Sequence, residues 1–64
     1  MREKFWKKIA LQKRNFKWFY DEYIKGRRKI DLAYNTIYQQ AKGETLSSMN
    51  DKLRLAMMEY LEEE

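Results

Sequence analysis

Apolar side chains in residues 2–25 recur at helical steps. Phe5, Ile9, Phe16, Tyr20 and Tyr23 share one face, with Trp6, Phe19 and Ile24 on its flanks. Gln12 and Lys13 interrupt this stripe at its middle. Either one long helix carries a broken apolar face, or two helices, about 2–13 and 16–25, meet at a bend near Arg14 and Asn15. The second reading is favoured, because a domain of this size cannot cover both ends of one long rod. Asn15 also suits the cap of the second helix. Leu11 and Trp18 fall off the stripe, and Gly26 is expected to stop the second helix.

A third periodic segment follows. Ile30, Ala33, Ile37 and Ala41 recur at steps of three and four and predict a helix over about 31–42, capped by Asp31 and ended by Gly43. A fourth, about 48–61, opens with Ser48 and Asp51 in the spacing of a capping box. Met49, Leu53, Ala56, Met57 and Tyr60 form its buried face. Leu55 and Met58 lie on the far side, where they offer a homodimer contact. The acids Glu62 to Glu64 oppose the helix dipole and are expected to fray. No strand pattern, internal repeat or low-complexity linker interrupts this reading. The predicted fold class is all-α, a small bundle of four helices forming a single domain over 1–64.

Composition narrows the chemistry. The 64 residues include no Cys and no His, which removes disulfides, thiolate metal sites and the commonest general base. There is no glycine-rich phosphate loop and no metal-spaced carboxylate cluster. Asp21 and Glu22 are adjacent, so on a helix they diverge by about 100°. The expectation is a protein that is not an enzyme and takes no cofactor or metal. With so short a chain, the ten aromatic residues must supply most of the core. No apolar run reaches the ~20 residues of a membrane span. The charged start of the chain lacks the apolar region of a secretory signal. The expected location is cytoplasmic.

The net charge of +4 is split. Residues 1–29 hold eleven Lys and Arg against three acids, and residues 30–64 hold three against seven. One side of the molecule is therefore suited to a polyanion. Arg27, Arg28 and Lys29 follow Gly26 directly, and such a cluster beside a helix start suits a phosphate backbone. Equally, it reads as a solvated basic loop.

The run Asn35-Thr36-Ile37-Tyr38-Gln39-Gln40-Ala41-Lys42-Gly43, with Thr45 to Ser48 and a new amphipathic stretch after it, carries a family signal. It resembles the recognition helix, glycine turn and following helix of Cro/lambda-repressor-like (XRE) helix-turn-helix regulators, over residues 32–61. That resemblance implies a helix-turn-helix-like arrangement and sequence-specific binding of double-stranded DNA. It also implies a small phage, plasmid or mobile-element role in transcription regulation, as repressor, antirepressor or excisionase.

Residue chemistry is compatible with this. Asn or Gln can pair bidentately with adenine in the major groove. Asn35 and Gln39 lie four apart, with Tyr34, Tyr38 and Lys42 beside them, as candidate base readers. Thr36 and Gln40, on the resemblance, would hold phosphate or sugar. Arg27, Arg28 and Lys29, with Lys13, Arg14 and Lys17, would set register on the DNA backbone.

Another class stays open: a helical protein-interaction module or inhibitor, docking on a host protein through its aromatic N-terminal helices. Membrane-surface or RNA binding by the basic N-terminal segment is a lesser option.

Overall fold

The interruption at Gln12 and Lys13 is where the first helix ends. In the structure, a computed structural model that describes residues 2–43 and 49–63, helix α1 spans Arg2–Leu11. Two backbone bonds close it: Lys13 donates to the Ala10 carbonyl and Arg14 to the Ile9 carbonyl, both at 3.0 Å. This is the bond pattern of a Schellman ending, with Lys13 at φ +56 in the left-handed position where glycine is usual. The two-helix reading therefore holds, with α1 shorter than the expected 2–13. Gln12 has its own use, since its Oε1 accepts the Tyr60 hydroxyl at 2.6 Å.

Helix α2, Phe16–Phe19, starts at Asn15, whose side chain accepts the Trp18 N–H at 2.9 Å. It continues without a break into a π-helical segment, Tyr20–Arg27. At the end of that segment the Arg28 N–H reaches five residues back to Tyr23, at 3.1 Å. Gly26 does not stop the helix as expected; it sits inside it. A Cβ at Gly26 would lie 3.0 Å from the Asp21 carbonyl oxygen, so the wide turn runs tight against this position. Reversal comes at Lys29, with φ +51. The Ile30 N–H then returns to the Ile24 carbonyl at 2.7 Å, and Ile30 is buried.

Helix α3 is Tyr34–Lys42, later than the expected 31–42. Its N-cap is Ala33, extended at φ −66 and ψ 144, with no side-chain cap. Asp31 is therefore not the cap, and Ala33 is exposed rather than in the core. The left-handed turn at Lys29 commits Ile30 to the core, and residues 31–33 then run without helical structure before α3 begins. The Leu32 carbonyl in this stretch accepts the Tyr20 hydroxyl at 3.0 Å. Ile37 and Ala41 are fully buried, and Gly43 ends α3 at φ +75.

Helix α4, Asp51–Glu62, is capped by Asn50, whose side chain accepts the Lys52 N–H at 2.8 Å. The expected capping residue Ser48 lies outside the described residues. Leu53, Ala56, Met57 and Tyr60 are buried, as the periodicity predicts.

The core is built around Phe5. Its ring meets Trp6, Phe16, Phe19 and Tyr60 edge-on, at centroid distances of 4.8–6.1 Å. Edge-to-face pairs contribute about 0.5–1.5 kcal/mol each beyond area burial. Among the described residues no charged or amide side chain is fully buried. The described structure is thus an all-α, four-helix bundle without strands.

The acidic end is pinned. Lys8 donates from Nζ to the carbonyls of Tyr60 and Glu63. Glu63 accepts from the Tyr23 hydroxyl and from Arg27. A cation at the carbonyl end offsets the unfavourable placement of acids there. α4 ends at Glu62, with Glu63 as its C-cap, and Glu64 lies outside the described residues. No described helix is long and apolar enough to cross a membrane.

Candidate nucleic-acid interface

Helix α3 presents two neighbouring faces outward. The first carries Asn35, Thr36 and Gln39, all exposed, opposite the buried Ile37 and Ala41. Asn35 and Gln39 are one turn apart, so both amides project from one side of a helix whose other side is locked in the core. The second face carries Tyr34 and Tyr38. These rings are half-buried and stacked, with centroids 5.7 Å apart and planes at 13°. Phe16 supports both from below, at 5.7 and 5.5 Å.

Bonds from α1 fix the position of α3. Trp6 donates its indole N–H to the Ala41 carbonyl, and Arg2 donates from Nε to the Gln40 carbonyl, each at 3.0 Å. Gln40 Oε1 accepts the Asn50 N–H at 2.8 Å. This side chain is therefore a strut between α3 and the start of α4, and is committed to the fold rather than to phosphate.

Cations distribute unequally. Lys17 Nζ lies 5.9 Å from the Tyr34 ring centroid, and Lys42 Nζ lies 5.1 Å from that of Tyr38. Arg14 covers the Trp18 ring at 3.9 Å. Lys17 also reaches Asp21 at 3.3 Å, an exposed pair of little energetic weight. Lys13 and Arg14 thus lie on the α1–α2 turn, Lys17 in α2 and Lys42 at the end of α3.

Arg27 and Arg28 lie elsewhere. Arg27 pairs with Glu63 and covers the Tyr23 ring at 4.4 Å. Arg28 approaches Glu59 at 3.5 Å, without hydrogen-bond geometry, and donates to the Leu55 carbonyl at 3.5 Å. Both guanidinium groups are turned toward the acids of α4. Lys29 lines a separate cleft with Arg28, Ile30 and Lys52.

No family model, curated protein or solved structure matches this chain. Residues 28–33 separate the π segment from α3, a longer connection than the roughly three- to four-residue turn of a helix-turn-helix pair.

One feature beside α3 was not legible as a site in the sequence. An open cleft of about 430 Å³ lies between α1, α2 and α3, walled by Trp6, Phe16, Tyr34 and Tyr38. Arg14, Asn15 and Lys17 line it as well. Trp6 and Phe16 read as core residues from their spacing. Nothing local in the chain indicates that Trp6 faces Tyr38, 6.2 Å away between centroids. Among the described residues no group of His, Cys, Asp or Glu is placed to hold a metal ion.

Proposed function

We propose that this protein binds double-stranded DNA through α3, as a small sequence-reading regulator of the kind the helix-turn-helix resemblance implies. The observation that carries the proposal is the exposed amide pair, Asn35 and Gln39, on a helix anchored by Ile37 and Ala41. A seated helix with projecting amides can enter the major groove and pair with adenine edges. Lys13, Arg14, Lys17 and Lys42 supply cations for the flanking phosphates. Thr36, exposed on α3, adds a hydroxyl for the same phosphates, whereas Lys29 lies apart in the cleft it shares with Arg28 and Lys52. Arg27 and Arg28, engaged with α4, contribute less.

Titration of a labelled duplex pool at two salt concentrations tests this. Binding at low salt that weakens steeply at higher salt supports it, and selection from the pool yields an adenine-containing site. Absence of binding at low salt overturns it.

A second reading has its own observation. Leu55 and Met58, 47% and 41% exposed, lie one turn apart on α4, and Leu11 is 77% exposed. Such side chains suit a protein partner, either a host protein or a second copy. Retention of one host protein after nuclease treatment, with no duplex affinity, favours this reading.

A further inference from the structure

We propose that the cleft between α1, α2 and α3 is a stacking site for one unpaired nucleobase, with the attached phosphate held by the cations at its edge. The proposal rests on the nucleic-acid reading and names a second mode of contact: it shares Lys17 and Lys42 with that reading but uses the aromatic cleft in place of the exposed amides.

Three properties of the cleft coincide. Its walls are aromatic, and Trp6, Tyr34 and Tyr38 are only half-buried, so part of each ring stays accessible. Planar rings attract planar rings, and a base offers such a face whatever its identity. The volume, about 430 Å³, lies within the ~300–1,000 Å³ of small-molecule sites, enough for a single nucleotide. Cations then border the same opening: Lys17 lines it and Lys42 sits beside Tyr38, while the Arg14 guanidinium lies over the Trp18 ring. A neutral apolar ligand would have no use for them, whereas a nucleotide carries its anion next to its ring.

Asn15 adds a polar contact. Its Oδ1 is occupied by the Trp18 N–H, which leaves the Nδ2 donors of this exposed side chain for a base carbonyl. The inner side of the cleft is tied to the core. Trp6 is held by the Ala41 carbonyl, and Phe16 is buried beneath the tyrosine pair. A base within a duplex is stacked on both faces and cannot enter, so the occupant is a base in a single strand or one turned out of a helix.

The test uses the intact chain and Trp6 as reporter. Trp18→Phe leaves Trp6 as the sole tryptophan while keeping an aromatic ring against Tyr23 and Tyr60. The probes are a six-residue oligothymidylate, thymidine 5′-monophosphate, inorganic phosphate and a fully paired hairpin. The proposal expects Trp6 fluorescence to be quenched by the oligothymidylate and, at higher concentration, by the mononucleotide, but not by phosphate. Tyr34→Leu is expected to weaken the oligothymidylate about tenfold. In the unsubstituted protein the Trp6 indole N–H resonance is expected to shift with the same probes, which needs no variant to fold. Equal responses to phosphate and oligothymidylate overturn the proposal, as does an unmoved Trp6 signal. Hairpin binding with a silent Trp6 removes the cleft and leaves the duplex reading. A Trp6 response to the single strand without hairpin binding does the reverse.

Discussion

Trp6 donates its indole N–H to the Ala41 carbonyl at 3.0 Å, joining the first helix to the end of the third. The bond satisfies one of the carbonyls that the last turn of a helix leaves without a partner. It also holds the proposed reading helix at a fixed angle to α1. Trp6→Phe keeps an aromatic ring but removes the donor. The expected loss is about 1 kcal/mol of unfolding free energy, measured by urea denaturation. No change in stability would mean that the bond contributes nothing to seating α3.

Gly43→Ala should also destabilise. At φ +75 a Cβ meets its own backbone unfavourably, and it would lie 3.3 Å from Arg2 Nε. Arg2 would then have to shift from the Gln40 carbonyl. A loss of about 1 kcal/mol or more is expected in the same measurement.

Lys13→Gly should act in the opposite direction. Lys13 holds a left-handed conformation at φ +56 that glycine adopts without strain. A gain of up to about 1 kcal/mol is expected from relief of that strain, less the extra freedom of the unfolded chain. A loss in the urea midpoint would show that the Lys13 side chain makes a contact worth more than the strain.

Tyr60 gives the stability a dependence on alkaline pH. Burial raises its phenol above the ordinary value, and the charge of Arg14 partly opposes this. The unfolded chain therefore releases the Tyr60 proton at lower pH than the folded one. The stability from neutral, buried Tyr60 is fully present below about pH 10 and is lost as the pH climbs through the folded-state value. Urea unfolding from pH 9 to 11 should fall less steeply for Tyr60→Phe than for the parent. The variant's lower starting stability, from loss of the bond to Gln12, does not affect that slope.

Substitutions at cations should separate those facing the proposed interface from those facing α4. Lys17→Ala is expected to weaken duplex affinity for all sequences and lower the salt slope by about 0.9. Arg27→Ala is expected to change it little, because that guanidinium is already paired with Glu63. Gln39→Ala should lose about 1–3 kcal/mol at an adenine-containing site and little elsewhere. A larger effect from Arg27 than from Lys17 would move the interface to the α4 side.

The sequence by itself determined the helical class, the break between α1 and α2, Asn15 as a cap and Gly43 as a stop. It also determined the buried faces of α3 and α4 from Ile37, Ala41, Leu53, Ala56, Met57 and Tyr60. These follow from side-chain periodicity and local backbone preference, which act over a single turn of chain. Only the tertiary structure decided the rest. Helix α3 starts only at Tyr34, after Lys29 has turned left-handed and Ile30 has entered the core. Gly26 stays inside a helix because the chain there takes the wider π turn. Arg27 is drawn to Glu63, and Trp6 comes to face Tyr38, through contacts between residues more than thirty positions apart. Local spacing carries no information about such pairs; they exist because one small core must bring four helices into contact at once.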